Sequence, residues 1–509
     1  MSLTLLMGVD LGTSSTKTVL IDRRSGRVLA LSAREYPVDT PRQGWAEQNP
    51  EAWLAAATET MAEALARAHV APEEVAGIGL SGQMHGTVCL GRNGHALRPA
   101  IIWADQRSGD QVARVYRELG AEQLGAWTGN PLATGFMLAS WLWLRDEMPE
   151  VARATTHLLL PKDYLRYRLT GELGSEPSDG SSTLLFDTAG RDWSAPLLEA
   201  MGIDPALLPP VRESAEVAGG LRAEIAARTG LRAGTPVVFG GSDQALQALG
   251  HGVVEPGIVS CTIGTGGQLF APAPAPVYDP QLRLHLFCHA LPDRWHLEAA
   301  ILAAGLSLRW LRDNVLEGWS YASLADAADR VPPGSERLFF LPHLAGERTP
   351  HMDPQATGAF VGLTLRHKRE HMARAVMEGV VFALRQGLEL MLSKVGVPVE
   401  RIVASGGATA HPLWLQLQAD IFNRPIYRTA TIEASAVGAA LLAGVGAGIY
   451  PNALEACRRT VAWRDEVIEP HPENVVRYEE AYGTFCRLYP ALAAEGFGKI
   501  SQKPRGTLE

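Results

Sequence analysis

The sequence predicts an α/β protein made of two related halves. Apolar runs of strand length alternate with amphipathic helical stretches along the chain. At 509 residues it is too long for one hydrophobic core, so two large domains or three ordinary ones are expected. Two hairpins of similar texture, Asp-Leu-Gly-Thr-Ser-Ser from Asp10 and Thr-Ile-Gly-Thr-Gly-Gly from Thr262, recur roughly 250 residues apart.

The elements follow in order. Leu5 to Val9 form an apolar run, Gly12 to Thr16 a small polar turn, and Thr18 to Ile21 a second run. A helix starts at Pro50, capped by Asn49 and with Glu51 in its first turn. Trp53, Ala57, Met61, Ala64 and Leu65 fall on one face of it. "VAGIGLSG" from Val75 returns as a strand. "TPVVFGGSDQALQALGHG" reads as a buried strand, a Gly-Gly-Ser turn and a helix, and the domain boundary is placed here, between 1–245 and 246–509. "RIVASGGATAHPLWLQLQADIF" from Arg401 repeats strand, Gly-Gly turn and helix. "EASAVGAALLAGVGAG" from Glu433 is a helix of small residues, suited to close packing against a neighbour or a flat ligand. The polar tail at 499–509 reads as a frayed end.

Charge narrows the partners. Lys plus Arg number 46 against 55 Asp plus Glu, a net −9, which argues against nucleic acid and anionic membrane. A polyanion would then need backbone N–H groups or Mg²⁺ to hold it. Five scattered cysteines without a CxxC pair point to reduced thiols and a cytoplasmic protein. The opening "MSLTLLMGVD" is too short and lacks the basic leader of a signal peptide, and no apolar run reaches membrane-spanning length.

Each glycine-threonine turn lets successive N–H groups and hydroxyls form a nest for phosphate oxygens, or is a plain hairpin turn. Neither is a P-loop. Asp10 closes a strand beside the first turn. It either caps that turn or holds Mg²⁺ between itself and a phosphate. Asp243 begins a helix after a buried strand. It is either an N-cap or a general base aimed at a hydroxyl, the one proton acceptor that phosphoryl transfer needs. Trp103, Asp105 and Arg107 suit a polyol, with C–H faces on the ring and hydroxyls on the acid. The alternative is a core Trp with a surface ion pair. "FLPHLAGERTPHMDP" at 340–354 reads as a structured loop without a metal-ligand set around His343 and His351. "GQMHG" at 82–86 ends a strand on an amide, a thioether and an imidazole; on its own His85 reads as a satisfied core histidine.

Together these residues resemble the FGGY carbohydrate kinases over about 5–475. "GAFVGLTLRHKREHMARAVME" carries the later family signature through Gly358, Phe360, Gly362, Leu363, His371, Met372, Ala375 and Glu378. "GFMLASWLWLRDE" keeps Gly135 and Trp143 of the earlier one, with Met137 and Ser140 in place of the usual threonine and lysine. Gln83-Met84-His85-Gly86 is the form seen in the xylulokinase branch, as are "LPKDYLRYRLTGE" and "AGERTPH". The usual Trp-Asn-Asp-Gly-Arg appears as Trp103-Ala104-Asp105-Gln106-Arg107, and the usual Gly-Gly-Gly-Asp-Asn as Gly240-Gly241-Ser242-Asp243-Gln244.

The resemblance implies two actin-like, ribonuclease-H-like α/β domains with an interdomain cleft. It implies ATP-dependent phosphorylation of D-xylulose at its 5-hydroxyl, with Asp243 as general base. Asp10 and Asp243 would hold Mg²⁺, and Gly12, Thr13, Gly264 and Thr265 the phosphates. Gly406 and Gly407 would lie against adenosine. Met84, His85, Trp103, Asp105, Asp243 and Gln244 would face the sugar. Partners would be the sugar and ATP, and homodimers are common in the family. Another ketose or polyol (ribulose, arabinitol, erythritol) stays open as acceptor, and so does an actin- or chaperone-like ATP switch.

Overall fold

The computed structural model describes residues 5–395 and 399–496; the tail reading at 499–509 lies outside them. The chain forms two compact units. The first takes the chain up to Glu255 together with Pro272–Leu297 and Ala430–Ala462. The second takes Pro256–Ala271, Glu298–Thr429 and the described residues from Trp463 onward. The units therefore exchange segments, whereas the division at 245/246 cuts the sequence once.

The exchange has a packing cause. The helix Ala434–Gly446 lies against the first unit's sheet at backbone distance. A Cβ on Gly8 would stand 1.8 Å from the Ala436 carbonyl, and one on Gly79 1.8 Å from that of Ala439. The small residues serve this close approach, in line with the sequence reading. The segment belongs to the first unit although it follows most of the second.

The two units share a sheet order. In the first, the strands run Val28–Glu35, Ser15–Asp22, Leu5–Leu11, Val75–Gly82, Pro236–Val238. In the second they run Trp295–Ile301, Gly267–Ala273, Ile258–Ile263, Arg401–Ser405, Ile426–Tyr427. In each, an antiparallel hairpin is followed by parallel neighbours: Leu5–Leu11 with Val75–Gly82, and Ile258–Ile263 with Arg401–Ser405. The echo between the two glycine-threonine hairpins is thus matched by strand order.

Local signals act as the sequence indicates. Asn49 caps the helix Pro50–Ala68, its side chain accepting from the Glu51 N–H at 3.0 Å. Trp53, Ala57, Met61, Ala64 and Leu65 are all buried under the first sheet. The 340–354 segment is a packed loop. His343 Nδ1 lies 2.7 Å from Glu347 Oε2, and the His351 ring stacks on Tyr489 at 4.0 Å. Among the described residues no group of three or more His, Cys, Asp or Glu side chains is placed to hold a metal.

Candidate active site

Parallel strands in register bring their carboxyl ends to one edge, the place where open α/β sheets bind ligands. In the first unit Asp10 pairs with Ser81 and Leu11 with Gly82. Gly241 pairs with the same Ser81, and Ser242 with Gly82. Three segments therefore leave that edge side by side: the turn after Leu11, the Gln83–Gly86 turn, and the helix beginning at Asp243. Asp10, Gly12, Thr13, Met84, His85, Asp243 and Gln244 are brought together by backbone pairing between distant parts of the sequence.

The turn at Gly12 is closed by its N–H donating to Ser15 O at 3.0 Å. Thr13 is tied twice. Its carbonyl accepts from Gln48 Nε2 at 2.6 Å, and its hydroxyl oxygen accepts from Trp103 Nε1 at 2.9 Å. Gln48 Oε1 in turn accepts from Gln83 Nε2 at 2.9 Å. The buried amide of Gln83 thus braces the Gly12–Thr13 turn through Gln48. Met84 is buried, while His85 is half-buried with φ of 71°.

Asp10 is half-buried, and its Oδ1 accepts from Ser81 Oγ at 2.7 Å. Burial raises its carboxyl above the ordinary carboxylate range, and the Ser81 bond and Lys17 pull it back in part. No described residue donates a hydrogen bond to Oδ2, so one oxygen remains for a cation. Because no three-ligand cluster exists among the described residues, such an ion would draw most ligands from water and phosphate, as Mg²⁺ usually does.

Ser242 takes the N-cap position of the helix Asp243–Gly250 without a side-chain capping bond. Asp243 is its first helical residue, half-buried like Gln244. The N-cap alternative therefore passes to Ser242. Asp243 lies in the first turn of the helix.

The 103–107 segment divides differently from either sequence reading. Trp103 is 40% exposed, at the site edge against Thr13. Asp105 is 1% exposed and does not face solvent. Its oxygens accept from Arg107 Nε at 2.9 Å, Arg107 NH2 at 2.7 Å and the Ala46 N–H at 2.6 Å. The Arg107 guanidinium lies over the Trp45 ring at 3.6 Å. Asp105 thus departs from the sugar-contact expectation: the ion pair is core and the tryptophan is surface. Gly135 packs against the Trp103 carbonyl, where a Cβ would stand 2.1 Å away.

In the second unit Thr262 pairs with Ser405, so the turns at Gly264 and Gly406 also leave one edge together. Gly264 N–H donates to Gly266 O at 2.9 Å, and Leu306 N–H to Thr265 O at 3.0 Å. This seats the hairpin against the start of the helix Gly305–Asn314. Gly264, Thr265, Gly406 and Gly407 are exposed. Beside them opens a cavity of about 500 Å³, lined by Gly264, Thr265, Gly407, Arg309, Tyr321 and Trp414 among others. A Cβ on Gly407 would meet nothing within 4 Å, so that glycine borders open space. The volume, the glycine floor and the aromatic walls fit a nucleoside. Gly406 differs: its φ is +83° and a Cβ would stand 2.4 Å from Ile263 O, so its glycine answers the chain itself.

Several supporting residues escaped sequence reading. Ser81, Gln48 and Ser182 are ordinary polar residues with no motif around them. Lys162 is fully buried, with Nζ 2.7 Å from Asp163 Oδ1 and 3.4 Å from Glu176 Oε1. The only signal for it was four charges within "PKDYLRYR". Trp414 and Arg309 sit in apolar and mixed helices that give no hint of a cavity.

Paired glycine hairpins on two units of like topology, one bearing carboxylates and the other a nucleoside-sized cavity, are the equipment of an actin-like phosphotransferase. The comparisons place the chain within that class. It matches the N-terminal domain of the FGGY family of carbohydrate kinases over residues 5–250 and the C-terminal domain over 259–447. It is 36% identical to the xylulose kinase of Bacillus subtilis over 484 residues, 95% of this chain and 96% of that one. A ligand-bound xylulose kinase from Lactobacillus acidophilus superposes with a TM-score of 0.92 at 28% identity, covering 98% of this chain and 100% of the other. A gluconate kinase from the same organism gives 0.93 at 28%, with the same coverage. The chain belongs to the FGGY family of carbohydrate kinases and is an ATP-using sugar kinase of two actin-like, ribonuclease-H-like domains.

Proposed function

We propose that this kinase phosphorylates D-xylulose, giving D-xylulose 5-phosphate and ADP. The observation that supports this is the register of Ser242 with Gly82, by which the helix starting at Asp243 and the Gln83–Gly86 turn leave the same strand edge. An acid next to a hydroxyl-binding turn is the arrangement a sugar kinase needs. The xylulose kinases that align over nearly the whole chain support this acceptor.

The roles divide between the units. In the first, Asp243 takes the proton of the attacking 5-hydroxyl as that oxygen bonds to the γ-phosphorus and the bond to ADP breaks. Met84 gives an apolar wall, His85 and Gln244 bond hydroxyls, and exposed Trp103 packs on a C–H face. Asp105 holds that segment in place rather than touching sugar. Gly12 and Thr13 offer N–H groups to phosphate. Asp10, together with Asp243, would hold Mg²⁺, which neutralises phosphate charge when bound. In the second unit Gly264 and Thr265 take phosphate oxygens and Gly407 borders the nucleoside. The cysteines among the described residues are all free thiols, which supports a cytoplasmic setting.

ADP release, measured across D-xylulose, D-ribulose, arabinitol, erythritol and D-gluconate, tests the acceptor. The highest kcat/KM should fall on D-xylulose, with phosphate on its 5-oxygen by NMR. Gluconate belongs in the panel because a gluconate kinase shares the fold so closely. A higher kcat/KM for any other acceptor overturns the assignment. The comparisons do not favour the ATP-switch alternative, and ATP turnover indifferent to every sugar would be its signature.

A further inference from the structure

Within the Gln83–Gly86 turn His85 alone adopts a positive φ without being glycine. L side chains rarely hold that backbone state, and it persists where surroundings fix it. One residue, 97 positions away, grips it twice. The His85 N–H donates to Ser182 Oγ at 3.2 Å, and His85 Nδ1 lies 2.8 Å from the Ser182 carbonyl oxygen. A carbonyl only accepts, so Nδ1 carries the proton. The ring also packs on Phe136 with centroids 4.0 Å apart.

Ser182 is itself held. Its hydroxyl donates to Asp179 O at 2.7 Å, with Asp179 Oδ1 at 3.3 Å. The Asp179 N–H donates to Glu176 Oε1 at 3.0 Å. Glu176 Oε2 accepts from the hydroxyls of Ser178 and Ser214, both at 2.8 Å. Ser178 Oγ accepts the Ser242 N–H at 3.0 Å, one residue before Asp243. Glu176 and Ser178 through Thr183 are fully buried, so little solvent competes for these bonds.

We propose that Ser182 is a positioning residue for sugar recognition: its hydroxyl and carbonyl lock the backbone and ring of His85 in the conformation that meets the sugar. The proposal rests on the reading that His85 meets the sugar. Ser178, on the same segment, anchors the residue before the base, so the two substrate-facing groups share one buried support.

The test is Ser182→Ala, which keeps the carbonyl and deletes the hydroxyl. Two readouts are taken on the full chain. Hydrogen exchange by mass spectrometry follows the peptide containing residues 83–86, and steady-state kinetics gives KM for D-xylulose and for ATP separately. Faster exchange, with sugar KM raised about tenfold and ATP KM unchanged, is expected for one lost buried hydrogen bond. Ser182→Cys, which keeps the shape with a weaker acceptor, should move both readouts the same way by less; it carries the test if the alanine variant does not fold. Unchanged exchange overturns the proposal. So does a parallel rise in both KM values with a matching fall in kcat, which is what general loosening would give. Should the unaltered protein phosphorylate none of the sugars, the substrate reading fails, and the exchange result alone then decides for or against the Ser182 lock.

Discussion

The Ser81 hydroxyl donates to Oδ1 of Asp10 at 2.7 Å across two adjacent parallel strands. Burial pushes the Asp10 carboxyl up, and this bond works against it. Ser81→Ala should raise the Asp10 pKa further. Protonation then competes with a bound cation at higher pH, so the acid limb of the MgATP-dependent rate should move upward. Loss of an outer partner of a metal ligand typically costs about 10–100-fold in metal affinity. A Mg²⁺ titration of ADP release at several pH values measures both effects, and an unchanged titration curve counts against Asp10 as a metal ligand.

Asp243→Ala removes the assigned proton acceptor while leaving Ser242 at the cap. Turnover should fall by about 10²–10⁴ from loss of base catalysis, and further if alignment suffers. The melting temperature should stay nearly constant, because the residue is half-buried in the first helical turn. Near-normal turnover would remove the mechanism.

Neighbouring glycines in the second unit separate folding from binding. Gly406→Ala forces a Cβ to 2.4 Å from Ile263 O at a φ of +83°. It should cost about 1–3 kcal/mol of stability. Gly407→Ala meets nothing within 4 Å but intrudes into the cavity. It should leave the melting curve alone and raise KM for ATP several-fold. Thermal unfolding and ATP kinetics on both variants check the contrast.

What the sequence made legible follows from how each feature is encoded. Hairpins and the Pro50 helix were readable because their signals are local: apolar period, Asn49 cap, glycine turn. The helix start at Asp243 was readable because Gly-Gly-Ser-Asp sits between a buried strand and an alanine-rich stretch. The fate of Asp105 was not, since it is decided by Trp45, which lies about 60 residues away and takes the Arg107 guanidinium on its ring face. Ser182 was invisible for the same reason: its partner is His85. The place of 430–462 in the first unit was hidden because a helix of small and apolar residues has no polar face to show which sheet it covers.

Glu298 makes the last prediction, one of pH dependence. It is 6% exposed in the strand Trp295–Ile301, with Oε1 accepting from Gln268 Nε2 at 3.4 Å. Its Oε2 has no hydrogen-bond partner among the described residues. Burial raises its pKa to about 7, offset in part by the charge of Arg348. Between the ordinary glutamate value and about 7 the folded protein holds a proton that the unfolded chain has lost. Stability from this group is therefore present at low pH and lost as pH rises through about 7, the reverse of a salt-bridged carboxylate. The loss amounts to roughly 3 kcal/mol at alkaline pH. Glu298→Gln keeps the shape without the charge. It should raise the melting temperature by several degrees at pH ~8 and scarcely at pH ~5, where the wild-type side chain is already neutral. Calorimetry of both proteins at the two pH values decides it: equal shifts at both would mean that packing, not the buried charge, sets the difference.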